Sequence, residues 1–286
     1  MAKIDVIKDI IAKKKERLIP AKQALPEEEL RQKISGLPAP RPFTEAINKP
    51  RFISLIAEIK KQSPSQGVIR PDFDPAAIAA VYQDAGVQAI SVLTEEDYFA
   101  GSLAYINAVK AVSSAPVLRK DFIFEPYQVL ESRYYGADAV LLIADILSKD
   151  ALIELIGLAD SLGMDCLVEV HQEKELKKVL GLKVAPVEGA SAPANAGTKP
   201  AKKKTAVSFC IGINTRDLHT LECDPRTTER LYPLIPKDRV VVVESGIKSY
   251  QDILFLKVLG ASAVLVGGSI LAAPDMKMCI QDLMGW

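Results

Sequence analysis

The sequence predicts an α/β protein folded as a closed (β/α)8 barrel, a TIM barrel, behind an N-terminal helical extension. Three observations carry that expectation. From Ile53 onward one unit recurs: a short apolar run, a polar turn, then an amphipathic helix pattern of roughly 10–15 residues. Eight such units fit into about 235 residues, which suits a closed barrel better than an open doubly wound sheet. The GxGxxG turn that follows the first strand of many open sheets is absent.

Residues 1–50 come before the repeat. Ile4, Ile7, Ile10, Ile11 and Leu18 recur at helical spacing and predict a helix over 3–19 that Pro20 ends. Within it, Lys13-Lys14-Lys15 reads as a solvated face. Pro26 followed by Glu27-Glu28-Glu29 opens a second helix, with acids against the positive end of its dipole. Pro38, Pro40 and Pro42 mark a loop, and Phe43–Ile47 forms a further helical turn. The expected organisation is an extension, 1–50, packed on a catalytic barrel, 51–286.

Within the barrel, strands are expected over 53–58, 88–93, 116–119, 138–143, 165–170, 208–213, 239–243 and 263–266. Helices are expected near 75–85, 102–112, 126–135, 149–162, 172–180, 225–232 and 249–259, with a last one near 275–283. The strands read as continuous apolar runs, as parallel strands covered on both faces do. Residues 181–206 are rich in Ala, Pro, Gly and Lys and lack periodicity. They read as a flexible insertion after the fifth helix, on the barrel face opposite the mouth, with Lys199 to Lys204 solvated.

Composition narrows the function. The 286 residues carry 36 Lys+Arg and 36 Asp+Glu, a net charge of zero, which argues against bulk binding to nucleic acid or an anionic membrane. No apolar run approaches the ~20 residues of a membrane span. Cys166, Cys210, Cys223 and Cys279 are scattered without a CxxC, and His171 and His219 are the only histidines, so no metal is expected. Cys166 and Cys210 fall in strand-like runs and read as small buried hydrophobes. Met1–Asp5 lacks a signal-peptide core, and the expected compartment is the cytoplasm.

The chemistry sits where the strands end. The first strand gives way to Glu58, Lys60 and Ser63; the second to Thr94-Glu95-Glu96-Asp97-Tyr98-Phe99; the third to Lys120-Asp121-Phe122. The fourth carries Leu141, the fifth Glu169, and the sixth leads to Asn214-Thr215-Arg216-Asp217. The seventh leads to Glu244-Ser245-Gly246 and the eighth to Gly267-Gly268-Ser269. A barrel gathers all of these at one rim, where lysines and glutamates must pair or shift their proton affinities. Glu169, inside the apolar CLVEVH, needs a lysine such as Lys60 or Lys120. Ser245, Gly246, Gly267 and Gly268 lie where backbone amides cradle a phosphate in many barrels, with Ser63 able to add a hydroxyl from the adjoining first loop.

The motifs LIAEIKKQSPSQG, ISVLTEEDYFAGS, VLRKDFI, GADAVLLIA, LVEVH, IGINTRDL, VVVESGI and AVLVGG, running from about residue 41 to 270, resemble the indole-3-glycerol-phosphate synthase family of tryptophan biosynthesis. The resemblance implies ring closure, decarboxylation and dehydration of 1-(2-carboxyphenylamino)-1-deoxyribulose 5-phosphate, with neither metal nor organic cofactor. It also implies other tryptophan-pathway enzymes as neighbours. By the same resemblance Lys120 is the general acid for ring closure and Glu169 its acid/base counterpart. Glu58 and Lys60 form a second pair for dehydration, with Lys60 also facing the substrate carboxylate. Asn214 and Arg216 form a polar clamp, and Glu244 contacts a substrate hydroxyl or supports those that do. Phe99, Phe122, Leu141, Leu218 and Leu265 surround the anthranilate ring. Gln66 and Thr215 depart from the residues common in the family.

The chemistry asks for such a set. A carbonyl becomes an alcohol on ring closure, so a proton must arrive, and a cationic, partly buried setting is expected to lower the lysine pKa toward a useful value. Dehydration needs an acid for the leaving hydroxyl and a base for the ring proton. A phosphosugar isomerase barrel would want a Cys/Asp pair at the mouth, and no strand ends that way. A silent scaffold or a nucleic-acid binder would show gaps among the charged strand ends, and there are none.

Overall fold

The computed structural model describes residues 6–186 and 207–286. Most of the segment read as an insertion, 187–206 with its lysine cluster, lies outside the described residues, as does Ile4. Three helices open the chain: α1 (Val6–Ala24), α2 (Glu27–Ser35) and α3 (Phe43–Ile47). Eight parallel strands follow: β1 (Ser54–Ile59), β2 (Ala89–Leu93), β3 (Val117–Lys120), β4 (Ala139–Ile143), β5 (Asp165–Val170), β6 (Cys210–Asn214), β7 (Val241–Glu244) and β8 (Ala263–Val266). Between and after them run α4 (Pro75–Asp84), α5 (Ala104–Val112), α6 (Pro126–Tyr134), α7 (Lys149–Ser161), α8 (Glu173–Leu180), α9 (Arg226–Leu231), α10 (Tyr250–Leu259), α11 (Gly268–Leu271) and α12 (Met276–Met284). Each strand pairs with its sequence neighbours, and β1 closes the barrel on β8 through Ser54–Ala263 to Ala57–Val266. Among the described residues no helix is long and apolar enough to cross a membrane.

Strand alternation sorts each run into two layers. Leu55, Ala57, Val92, Val140, Val168, Ile211 and Val264 pack outward against the helices in the larger core cluster. Ile56, Ala89, Leu118, Leu141, Leu167, Cys210, Val242 and Leu265 face inward and fill the barrel in a second cluster. Both layers are dry, which is why the runs look uniformly apolar. Helix starts are fixed locally: the Asp74 side chain accepts the Ala76 and Ala77 N–H groups, and Ser249 and Asp252 form a capping box on α10. Cys166 and Cys210 are buried free thiols, as the sequence indicates.

The extension wraps the barrel from mouth to floor. Ile7 and Ile10 of α1 join the inner cluster with Phe122, beside Tyr98 and Phe99 of the β2 loop. Leu30 and Ile34 of α2 pack with Leu130 of α6. At the floor, the Thr44 N–H of α3 donates to Asp165 Oδ2 at 2.9 Å, where β5 begins.

Two expectations here are corrected. The first helix does not end at Pro20 but runs on to Ala24. Pro20 removes one hydrogen bond, to Glu16, yet both residues are exposed, so water can take up the carbonyl. The turn beyond is held by the Tyr127 hydroxyl, which donates toward the Ala21 and Leu25 carbonyls at 3.1 and 3.0 Å. Nor is Lys13-Lys14-Lys15 a solvated face. Lys14 is 3 % exposed and bridges Glu96 at 2.5 Å and Asp121 at 3.0 Å.

Candidate active site

Inward-facing positions carry apolar side chains through the barrel and ionisable ones at its C-terminal rim. On β1, Ile56 is followed by Glu58; on β3, Leu118 by Lys120; on β5, Leu167 by Glu169; on β7, Val242 by Glu244. The same alternation on β6 places Cys210, Gly212 and Asn214 inward. Register then sets the neighbours: Glu169 lies beside Gly212, and Asn214 beside Glu244.

Lys120 stands at the centre. Its Nζ lies 2.5 Å from Glu244 Oε2 and 3.2 Å from Glu169 Oε2. Both carboxylates are essentially buried, at 1 % exposure each. The expected cationic setting for this lysine is not found. Burial alone would lower its pKa, but the carboxylates of Glu244, Glu169 and Glu58 outweigh burial and raise it. The lysine is therefore a fully protonated donor rather than one poised near neutrality.

One ammonium cannot equally neutralise two buried carboxylates, and their proton affinities separate. Burial would raise the Glu169 pKa, but Lys120 and His171 hold it well below the usual range. For Glu244, burial dominates and the nearby Glu169 adds to it, so its pKa is raised despite Lys120. Glu244 Oε1 is buried without a hydrogen-bond partner among the described residues. This is the pattern of paired titratable groups pushed apart by their surroundings.

Two glycines make room for the carboxylates. A Cβ on Gly212 would lie 2.5 Å from Glu244 Oε1, and one on Gly267 would overlap Glu58 Oε2 and sit 2.8 Å from Glu58 Cβ. Gly267, read from sequence as a phosphate contact, thus also gives Glu58 its space.

Glu58 forms the second charged pair, with Lys60 Nζ at 2.5 Å. Past Lys60 the chain makes a small hairpin, Gln62–Ser63 against Gly67–Val68, which the sequence reading takes only as a turn. Ser63 is buried in it, the Gln66 side chain lies 3.0 Å from where a Cβ on Gly268 would stand, and Arg70 Nη1 donates to the Leu271 carbonyl at 3.0 Å. The first loop is thereby tied to α11. Gly267 is the N-cap of that short helix, and first-turn N–H groups have no intrahelical acceptor. Ser245 and Gly246, after β7, have φ of 67° and 75°, and such left-handed backbone in a serine is strain that a functional turn can retain.

Phe122, Leu141 and Leu265 are buried in the inner cluster, with Phe99 and Leu218 packed against it. The Phe99 and Phe122 rings lie 6.4 Å apart and tilted. Asn214 Oδ1 accepts the Arg216 N–H at 3.0 Å, and its side chain helps to lower the Glu169 pKa. Arg216 directs Nη1 to its own loop, onto the Leu221 carbonyl at 2.7 Å. Thr215 Oγ1 donates to the Glu244 carbonyl at 3.3 Å.

Several contributors escape a linear reading. Gly212, on the neighbouring strand, makes room for Glu244, and His171, two residues past Glu169 at the end of β5, reaches back to its carboxylate. Arg119, between Leu118 and Lys120, points outward and is 1 % exposed. It pairs with Asp121 at 2.9 Å and Glu131 at 3.0 Å, so with Lys14 it braces the strand next to Lys120. Among the described residues one trio of acids, Glu95, Glu96 and Asp97, is close enough to hold a metal. Its oxygens are already engaged: Glu95 accepts the N–H groups of Asp97, Tyr98 and Phe99, Glu96 holds Lys14, and Asp97 holds Arg17. The trio therefore secures the loop that carries Phe99.

A family model described as indole-3-glycerol phosphate synthase matches residues 7–189 and 201–283. Among curated relatives, the indole-3-glycerol phosphate synthase of Dehalococcoides mccartyi is 45 % identical over 267 residues, covering 92 % of this chain and 93 % of that one. That of Acetivibrio thermocellus is 42 % identical over 279 residues, covering 97 % and 98 %. Among solved structures, 3-hexulose-6-phosphate synthase from Salmonella typhimurium aligns with a TM-score of 0.58 at 17 % identity, over 82 % of this chain and 97 % of that one. That likeness bears on the fold alone.

Proposed function

The chain belongs to the indole-3-glycerol phosphate synthase family, and we propose that the barrel mouth performs this family's reaction with Lys120 and Glu169 as the first acid–base pair. The activity is that of a carboxy-lyase in tryptophan biosynthesis. The single observation that best supports the residue assignment is the placement of Lys120, 3.2 Å from Glu169 and 2.5 Å from Glu244, in a mouth that also holds the Glu58–Lys60 pair.

Ring closure forms a carbon–carbon bond between the carboxylate-bearing ring carbon of 1-(2-carboxyphenylamino)-1-deoxyribulose 5-phosphate and the ribulose carbonyl carbon. Electrons from the carbonyl move onto its oxygen, which becomes a much stronger base than any carboxylate. It can therefore take a proton from Lys120 even though Glu169 and Glu244 hold that lysine protonated. Carbon dioxide then leaves, and its bonding pair returns to the ring. Dehydration removes the new hydroxyl with one proton and takes a second proton from the ring. Lys60 and Glu58 serve that step, and Lys60 faces the substrate carboxylate. The sequence is redox-neutral and calls for no metal or organic cofactor.

Binding follows the same layout. Ser63, Ser245, Gly246, Gly267 and Gly268 hold the phosphate, and Phe99, Phe122, Leu141, Leu218 and Leu265 enclose the anthranilate ring. Asn214 and Arg216 clamp the polar middle of the substrate, and Glu244 orients Lys120. In this reading residues 1–50 are the extension and 51–286 the catalytic barrel. The gap between the two matched stretches supports reading residues 181–206 as an insertion in the sequence. We place the enzyme in the cytoplasm, beside the other tryptophan-pathway enzymes, as part of the same proposal.

Incubation of the protein with the substrate, followed by indole fluorescence and carbon dioxide release, tests the function. Indole-3-glycerol phosphate and carbon dioxide in equal amounts are expected; a catalyst-free rate would overturn it.

A further inference from the structure

The two oxygens of Glu169 face different partners. Oε2 lies 3.2 Å from Lys120 Nζ, and Oε1 lies 3.2 Å from Nε2 of His171, just past the end of β5. His171 is buried, and the reaction written above does not use it. Its Nδ1 lies 3.5 Å from Glu175 Oε2 in α8. The imidazole thus stands between a carboxylate at the mouth and one in the first turn of the next helix. Glu175 is itself held: its Oε2 accepts the N–H of His171 at 2.6 Å and that of Gln172 at 3.3 Å, within the α8 capping box.

We infer that His171 is a positioning residue for Glu169. Anchored by Glu175, it fixes Oε1 so that Oε2 stays aimed at Lys120. The inference rests on the reading of Glu169 as the acid–base partner of Lys120. A carboxylate gripped at one oxygen only can rotate; gripped at both, it keeps the alignment that proton transfer requires. Nε2 is buried and close to Oε1 without the alignment of a full hydrogen bond, and no other acceptor among the described residues takes it. Hydrogen bonds of this kind are often loose in free enzymes and tighten when substrate binds.

Charge agrees with the geometry. Burial would lower the imidazole pKa, but Glu169 and Glu175 outweigh it and raise it to about 10, so the ring is a cation at neutral pH. The other charged groups nearby are Lys178 of α8, which acts on Glu175 and Asp145, and the Asp145–His219 pair at 3.0 Å. On the far side of Glu169 is Lys120.

The test compares His171→Gln, which keeps a donor without the charge, and His171→Leu, which keeps neither, with the wild type. Turnover and KM are measured against pH, with thermal melts throughout and Glu169→Gln as control. In His171→Leu turnover is expected to fall roughly ten- to hundredfold, with KM nearly constant. The fall in His171→Gln is smaller. In both, the acidic limb of the turnover profile should move up by about one pH unit or more, because a nearby cation has been removed from Glu169. A lowered melting temperature with turnover and acidic limb unchanged would leave His171 a packing residue and overturn the inference. If His171→Leu does not fold, the limb of His171→Gln decides alone. Full activity in Glu169→Gln would refute the assignment of Glu169 itself. An inactive Glu169→Gln beside unmoved His171 profiles would refute only the positioning role.

Discussion

Lys120 brings one positive charge to two buried carboxylates, and the residues around them decide which carboxylate keeps its negative charge. Glu169 has His171 as a second cation, while Glu244 has a buried oxygen with no hydrogen-bond partner among the described residues. The space for Glu244 comes from Gly212. Gly212→Ala should push that carboxylate toward Lys120 and Glu169. Since misplacement by about 1 Å can cost up to about 10²-fold, turnover is expected to fall at least tenfold, with the melting temperature little changed. Steady-state kinetics beside a thermal melt would show it, and unaltered turnover would mean that Glu244 is free to move. At this scale the charged residues were legible because they interrupt apolar runs: Glu169 in CLVEVH, Lys120 after VLR. Their electrostatics were not, because the lysine's neighbours come from strands about 50 and 124 residues further along the chain. Gly212 gains meaning only when the adjoining strands set it against Glu244, and His171, two residues after Glu169, only when the turn into α8 places its ring between Glu169 and Glu175.

At the scale of elements, the extension and the β2 and β3 loops form one ionic assembly. Lys14 reaches into the barrel rim to Glu96 and Asp121, and Arg119 meets the same Asp121 from the helix side. Arg17 holds Asp97 through two hydrogen bonds at 2.7 Å each, and Tyr98 hydrogen-bonds Asp9. The loop bearing Phe99 is thereby fixed to α1. Lys14→Met should break a buried ion pair while filling its volume. We expect a loss of about 3 kcal/mol in urea unfolding and a higher KM through loosening of that loop. Stability equal to wild type would show that Arg119 alone suffices for Asp121. Strand and helix positions were legible to within a residue or two from hydrophobic period and turn residues. The course of α1 past Pro20 was not, because solvent exposure and a tyrosine some 100 residues away decide it. The burial of Lys14 likewise depends on a tertiary contact that no local pattern encodes.

For the whole molecule, buried charge at the mouth ties stability to pH. The His171 pKa rises from an ordinary 6.5 in the unfolded chain to about 10 in the folded protein. Its contribution is fully present below about pH 6.5 and is lost as pH rises toward 10. Asp121 works in the opposite direction. Burial would raise its pKa, but Lys14 and Arg119 hold it well below the usual carboxylate value, so its contribution is present at neutral pH and lost on strong acidification. Unfolding free energy measured between pH 6.5 and 10 should therefore decline more steeply in the wild type than in His171→Gln; parallel curves would place the imidazole outside this linkage. The barrel itself was legible because its eight-fold repeat is written in the sequence, and closure turns that repeat into a single rim.

That rim is where the account is most exposed to test, through turnover of 1-(2-carboxyphenylamino)-1-deoxyribulose 5-phosphate by wild type and Lys120→Ala, followed by indole fluorescence at neutral pH. The wild type should form indole-3-glycerol phosphate, and the folded variant should lose roughly 10²–10⁴ in turnover, the range for a positioned acid. A folded Lys120→Ala that forms product at the wild-type rate would contradict the account.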